Sequence, residues 1–167
     1  MKTVQKKICL LGDFAVGKTS LVRRFVESRF DDKYLSTIGV KISRRSLQRA
    51  YGTLNLLIWD LAGSEEFKES TYLQGSAGAL IVCDLTRRST LETLKNYASY
   101  LYQFSLGAPL VFIGNKMDLS DQYAIKEYEL KEIAATFDSP YLLTSAKTGD
   151  QVENAFNLLA EKLENRL

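Results

Sequence analysis

The chain has 167 residues, with 22 Lys and Arg against 20 Asp and Glu and no His. That length suits one domain, residues 1–167, with its own core; 46% hydrophobic and 25% charged residues are an ordinary globular mixture, and no apolar run approaches the roughly 18 residues of a membrane span. The lack of His removes imidazole as general base and as metal ligand, so any metal is expected to be a hard, oxygen-bound ion.

The N-terminus, Met1 to Lys7, carries charge with no long apolar stretch behind it, which argues against a cleaved signal peptide. The first strand is expected over 6–11. Cys9 in this run and Cys83 in a later one read as buried thiols of a reducing, cytoplasmic compartment. Directly after the strand comes Gly12-Asp13-Phe14-Ala15-Val16-Gly17-Lys18-Thr19. This is the pattern Gly-x4-Gly-Lys-Ser/Thr, set between a strand and a helix running from Lys18 to about Ser28. The glycines permit a backbone whose N–H groups face an anion. Lys18 adds a positive charge beside phosphates, and the Thr19 hydroxyl suits Mg2+. Asp13 to Ser20 are therefore the expected phosphate-binding stretch of a nucleoside triphosphate site.

Phe30, just past that helix, reads either as an edge-on contact to a base or as a core aromatic. The segment 38–47 alternates and carries Lys41, Arg44 and Arg45, as a half-exposed edge strand would. The short link 48–52 predicts an antiparallel hairpin with the strand at 53–59. That strand ends in Asp60-Leu-Ala-Gly63. A carboxylate there can hold Mg2+ through water, and Gly63 lets an N–H approach a terminal phosphate, although such a pattern is often a plain turn.

A fully apolar strand follows at 78–84, then a helix over 88–104 with Leu91, Leu94, Ala98 and Leu101 at helical spacing. The aromatic set Tyr97, Tyr100, Tyr102 and Phe104 fits packing better than a base-stacking platform. After the strand at 109–114 stands Asn115-Lys116-Met117-Asp118. A carboxylate at Asp118 accepts hydrogen bonds from N1–H and the 2-amino group of guanine, and adenine would leave it unpaired. The Lys116 stem is expected along the base plane, and Asn115 is grouped with them as selecting guanine. A helix over 125–136 leads to a strand at 140–144 and to Thr144-Ser145-Ala146-Lys147, whose N–H groups are placed to meet the guanine carbonyl. The last helix is expected over 150–165, with Val152, Phe156, Leu159 and Leu163 on one face. This alternation predicts an α/β fold. It is a six-stranded, mostly parallel sheet with one antiparallel edge strand, helices on both faces, and ligands outside the carboxyl ends of the strands.

Charge is uneven. Residues 1–50 hold 12 Lys and Arg against 4 Asp and Glu, a net +8, and the remainder carries −6. The reading is solvated surface, or a basic region for phosphates or an acidic partner. No compact Lys/Arg run marks a nucleic-acid site.

The order and spacing of these four motifs, each at a strand end, resemble the Ras superfamily of small GTPases, and within it the Rab branch. Ser36-Thr37-Ile-Gly-Val40 is similar to the first switch with its Mg2+-binding threonine. Leu57 to Phe67 is similar to the second switch, and Tyr72 to Asp84 to the segment after it. The resemblance implies GTP and GDP binding with Mg2+, slow GTP hydrolysis, and two loops held by the γ-phosphate and released after hydrolysis. In those terms Lys18, Thr37, Gly63 and Ser64 carry hydrolysis. Thr19, Thr37 and Asp60 hold Mg2+, and Tyr34 joins the nucleotide contacts. Effectors, exchange factors and GTPase-activating proteins are expected at residues 33–47 and 60–75 of a monomer.

Three features depart from the family pattern. Ser64 stands where the family has the glutamine that orients water. Phe14 stands where a small residue is usual, and its ring would crowd the terminal phosphate. The tail Glu161 to Leu167 carries no Cys for prenylation, and the start lacks a Met-Gly myristoylation signal. The expectation is either a trimmed core, with membrane attachment only if a lipidated tail is missing from this sequence, or a relative that works without a lipid anchor. The alternative function is a GTP-binding interaction module with negligible hydrolysis, supported by Ser64 and Phe14.

Overall fold

A computed structural model describes residues 1–31, 39–63 and 70–167; Tyr34, Thr37 and Ser64 lie outside the described residues. Six strands form one sheet there: β1 (Lys2–Leu11), β2 (Val40–Arg49), β3 (Gly52–Leu61), β4 (Gly78–Asp84), β5 (Leu110–Asn115) and β6 (Tyr141–Leu143). Their order is β2-β3-β1-β4-β5-β6, with every neighbouring pair parallel except β2 and β3. This is the expected architecture, with the antiparallel strand at the edge.

The hairpin is tighter than the sequence suggests. Arg49 pairs with Gly52, leaving Ala50 and Tyr51 as a two-residue turn. β1 also starts four residues early. Its charged first half, Lys2 to Lys7, pairs in parallel with Gly52 to Leu57. Those side chains stay largely exposed, so no hydrophobic pattern marks a strand that backbone pairing alone extends.

Helices cover both faces. On one, α1 (Lys18–Glu27) and α6 (Val152–Glu164) enclose a core that includes Leu21, Phe25, Ile58, Val82 and Phe156. On the other lie α2 (Ser70–Leu73), α3 (Ser89–Glu92), α4 (Leu94–Tyr102) and α5 (Glu127–Thr136), over a core that includes Cys9, Ile81, Leu94, Leu101 and Phe112. Cys9 and Cys83 are buried free thiols. The four-residue α2 and a 3-10 turn at Ser120–Gln122 were not expected, because neither is long enough to show periodicity.

The helix expected over 88–104 is divided at Thr93. That residue keeps helical dihedrals (φ −92°, ψ −9°), but its hydroxyl donates to the Asp13 carboxylate and to the Thr90 carbonyl. The aromatic set packs as anticipated: Tyr97 is buried, Tyr100 meets Phe104 edge-on, and Tyr102 meets Phe137. The basic edge needs one correction. Alternation turns Arg45 away from Arg44, and its guanidinium stacks over Phe25 and pairs with Glu153. Lys41 and Arg44 remain as the exposed cations of β2.

Phe25 of α1 and Phe156 of α6 stack at 4.0 Å with rings nearly parallel, and both are fully buried. This pair joins the helix that begins at the phosphate loop to the last helix. Phe156→Ala should cost about 3–5 kcal/mol and lower the melting temperature by about 6–20 °C. In urea, the midpoint should fall with an unchanged slope.

Candidate functional site

A cleft of about 360 Å3 opens at the carboxyl ends of the strands. The loop 12–17 forms its floor. Ala15 (φ 62°) and Gly17 (φ 103°) adopt left-handed backbone there, the condition for successive N–H groups to converge on an anion. At Gly17 a side chain is also barred by space, because a Cβ would lie 2.3 Å from the Asn115 amide nitrogen.

All five carbonyls of residues 12–16 have donors. Lys18 Nζ folds back onto those of Gly12 (2.8 Å) and Asp13 (3.1 Å). Arg87 Nη2 donates to the Phe14 carbonyl at 2.6 Å, Lys116 Nζ to that of Ala15 at 3.1 Å, and Asn115 Nδ2 to that of Val16 at 3.0 Å. In a trans peptide the N–H opposes the C=O. Holding three successive carbonyls in this way therefore directs the N–H groups of Ala15, Val16 and Gly17 the other way. A second set of bonds fixes the start of the loop: the Asp13 carboxylate accepts from the Tyr97 hydroxyl (2.8 Å) and the Thr93 hydroxyl (2.9 Å).

The structure brings most of the expected residues to this cleft. Phe14, Ala15, Gly17, Lys18, Thr19, Ser20, Phe30, Gly63, Asn115, Lys116, Asp118, Ala146 and Lys147 line it. Phe14 is 54% exposed at its lip. The side chains of Asp13, Val16 and Ser145 do not line it. Asp13 faces α3 and α4 through Thr93 and Tyr97. Val16 is fully buried in the core, and the Ser145 hydroxyl donates to Asp118 at 2.7 Å. Asn115 lines the cleft and also reaches the loops on either side of it. It is buried, and its oxygen accepts from the Thr144 hydroxyl and the Ala146 N–H while its nitrogen holds Val16. It thereby brackets two loops, and Asp118 lines the same cleft.

Asp60 is buried at the end of β3, beside Leu10 of β1. Its Oδ2 accepts from Thr19 Oγ1 at 2.5 Å. A hydroxyl and a carboxylate oxygen form a hard donor pair. Among the described residues no group of three His, Cys, Asp or Glu can hold a metal. Two protein oxygens without a cage fit Mg2+, which keeps water and shares phosphate oxygens. Gly63 closes the cleft opposite the loop, where a Cβ would lie 2.2 Å from the Phe14 nitrogen; any side chain there would push the two segments apart.

Several residues escaped the sequence reading. Asp31, Ala62 and Leu119 also line the cleft. Arg24 of α1 holds the carbonyls of Ala146 and Lys147, tying the last motif to the first helix. Asp84, Arg87, Thr93 and Tyr97 support the phosphate loop from behind. No motif marks them. Position is the one signal for Asp84 and Arg87, since they stand at and just past the carboxyl end of β4, where ligands of such sheets bind.

Burial pushes the Lys18 ammonium down to about 8. The charges of Asp60 and Asp13 oppose this, and the Arg87 guanidinium adds to it. A phosphate partner would raise it again. At pH 7 Lys18 is already charged and needs no proton to meet phosphate. Above pH 8 the free protein loses that proton and binding must restore it, so affinity falls as pH rises. Calorimetry with GDP in two buffers of different ionisation heat should show up to about one additional proton taken up at pH 9 relative to pH 7. Lys18→Arg, whose guanidinium does not titrate, should lose that difference.

Comparison with known proteins matches this geometry. Residues 7–165 match the model of the Ras family. The chain is 34% identical over 164 residues to GTP-binding protein ypt1 of Schizosaccharomyces pombe, covering 96% of this chain and 81% of that protein. It is 38% identical over 160 residues to Ras-related protein Rab-22A of Mus musculus, covering 94% and 82%. It is 34% identical over 164 residues to Ras-related protein Rab-1A of Dictyostelium discoideum, again covering 96% and 81%. The phosphate loop, the carboxylate-lined cleft and the matched span agree: the chain belongs to the Ras family, in its Rab branch.

Proposed function

We propose that this chain works as a Rab-type molecular switch, a single GTP-binding domain that binds GTP and GDP with Mg2+ and hydrolyses GTP slowly. The observation that carries this reading is one cleft with a backbone anion nest at one end and Asp118 at the other. A nucleoside polyphosphate spans such a site. Asp118 accepts from guanine, while the Ser145 hydroxyl holds one of its oxygens. Phe30 lies beside the base, and the Ala146 and Lys147 backbone meets the guanine carbonyl.

At the other end Lys18 leaves the Gly12 and Asp13 carbonyls for the β- and γ-phosphates. Thr19, with Asp60 behind it and Thr37 from the first switch, would hold Mg2+. That ion supplies neutralisation of phosphate charge. Tyr34, outside the described residues, joins the nucleotide contacts, and the Gly63 N–H meets the terminal phosphate. No imidazole is present to act as base, so turnover rests on positioning and charge stabilisation. Family membership favours a hydrolysing switch over a static binding module. Ser64 and Phe14 set the rate low, because Ser64 cannot orient water as an amide does and the Phe14 ring stands at the cleft lip.

Partners meet residues 33–47 and 60–75. In the described part of that surface Ile42 is 52% exposed beside its cross-strand neighbour Trp59, with Lys7 over the Trp59 ring. Arg44 shares the Ile42 face. That combination suits an effector with an apolar anchor and flanking acidic residues. No described helix is long and apolar enough to cross a membrane. The switch acts from the cytoplasm as a monomer.

Two measurements test this reading. In competition assays GTP and GDP should bind at least about a thousandfold tighter than ATP, a difference of about 4 kcal/mol. Asp118→Asn should shift the preference toward xanthine nucleotides, because an amide donates to the 2-oxo group; equal ATP and GTP affinities would overturn guanine recognition. In single-turnover assays GTP should be hydrolysed at or below about 10⁻⁴ per second, under the roughly 3–5 × 10⁻⁴ per second of Ras, which has the glutamine. Ser64→Gln should raise the rate about ten- to a hundredfold, and more so with Phe14→Gly, since the amide needs room beside the γ-phosphate. No change on Ser64→Gln would mean that another residue orients the water.

A further inference from the structure

Two of the three cations that hold the phosphate loop, Lys116 and Arg87, share one buried anion. Asp84, at the end of β4, is 1% exposed. Its Oδ1 accepts from the Thr86 N–H (2.9 Å) and hydroxyl (2.7 Å), which fixes the carboxylate in place. Its Oδ2 faces Lys116 Nζ at 2.8 Å and Arg87 Nε at 3.7 Å. Each of those cations also donates to the phosphate loop: Lys116 Nζ to the Ala15 carbonyl and Arg87 Nη2 to the Phe14 carbonyl. The Arg87 N–H also bonds the Asp84 carbonyl, so backbone and side chain both anchor Arg87 to Asp84.

We propose that Arg87 is a positioning residue for the terminal-phosphate end of the cleft, its guanidinium paired loosely with Asp84 while its Nη2 fixes the Phe14–Ala15 peptide. The argument follows from the peptide plane. With its carbonyl held by Arg87, this peptide turns the Ala15 N–H in the opposite direction, toward the anion nest. Phe14 is also the residue whose backbone stands against Gly63, within reach of a Gly63 Cβ. Arg87 therefore steadies the part of the loop that closes on Gly63, whereas Lys116 and Asn115 steady the part nearer the base. Arg87 lies on the outer side of the loop and is 39% exposed, so its removal leaves the core intact. A charged donor to a backbone carbonyl is a strong hydrogen bond, and Asp84 keeps that donor oriented.

This inference rests on guanine nucleotide binding as proposed above. The test is the dissociation of fluorescent GDP and of a fluorescent non-hydrolysable GTP analogue, chased with unlabelled nucleotide in Mg2+. The wild-type protein should hold both; failure to hold either overturns the nucleotide reading itself, independently of any variant. Arg87→Ala should release the GTP analogue about tenfold faster and GDP no more than about threefold faster. Arg87→Lys, which retains a cation for Asp84, should restore at least half of the change in the ratio. Asp84→Asn should shift the ratio in the same direction, and adding it to Arg87→Ala should contribute less than it does alone, as expected for two members of one unit. A general loosening of the fold would speed both nucleotides by the same factor and leave the ratio as in wild type. That result, or rates within twofold of wild type, overturns the positioning role.

Discussion

The site depends on a constraint that is easily stated: the carbonyls of the phosphate loop must be held so that its N–H groups are free for an anion. A loop of six residues between β1 and α1 cannot meet this from within, since its one internal backbone bond, Val16 N–H to the Asp13 carbonyl, is a long 3.4 Å. The donors come from elsewhere in the chain. Asn115 and Lys116 follow β5, Arg87 follows β4, and Lys18 is the first residue of α1. Backbone polar groups in a buried setting must be paired, and here the choice of partner also sets the direction of every amide around the nest.

The sheet makes those donors available. β1 lies in the middle, between β3 and β4, so its carboxyl end is flanked by the strand ends that carry Asp60 and Asp84. β5 is next, and brings Asn115. The parallel crossovers pack helices on both faces, and two separate cores hold the sheet rigid under the cleft. α1 is fixed through the Phe25–Phe156 stack and through Arg24 on the Ala146 and Lys147 carbonyls. The phosphate end and the base end of the cleft are thus tied to the same helix.

Electrostatics follow from this arrangement. Lys18 is a buried cation between Asp13 and Asp60, and Asp84 is a buried anion between Lys116 and Arg87. In both places burial penalises the charge and close opposite charges offset that cost. Burial outweighs the two acidic neighbours of Lys18 and leaves its ammonium value depressed, at about 8.

The sequence by itself determined the α/β alternation, the edge hairpin, the phosphate-loop pattern and a carboxylate, Asp118, that lines the cleft. These are local: a glycine spacing, an apolar run, or four residues at a strand end carry their own physical meaning. It left the charged half of β1 unseen, since pairing between Lys2–Lys7 and β3 leaves no hydrophobic signature. It left unseen that Asn115 also holds the Val16 carbonyl, since an amide beside Lys116 and Asp118 reads as part of one motif until its partners are known. Beyond their position at the end of a strand, no motif marked Asp84 or Arg87, and none marked Tyr97, as supports of the phosphate loop, 71 to 84 positions from Asp13 along the chain. Only the tertiary structure decided those contacts. A long-range hydrogen bond depends on which strand ends lie side by side and on how far a side chain reaches, and neither is encoded in the spacing of residues along one segment.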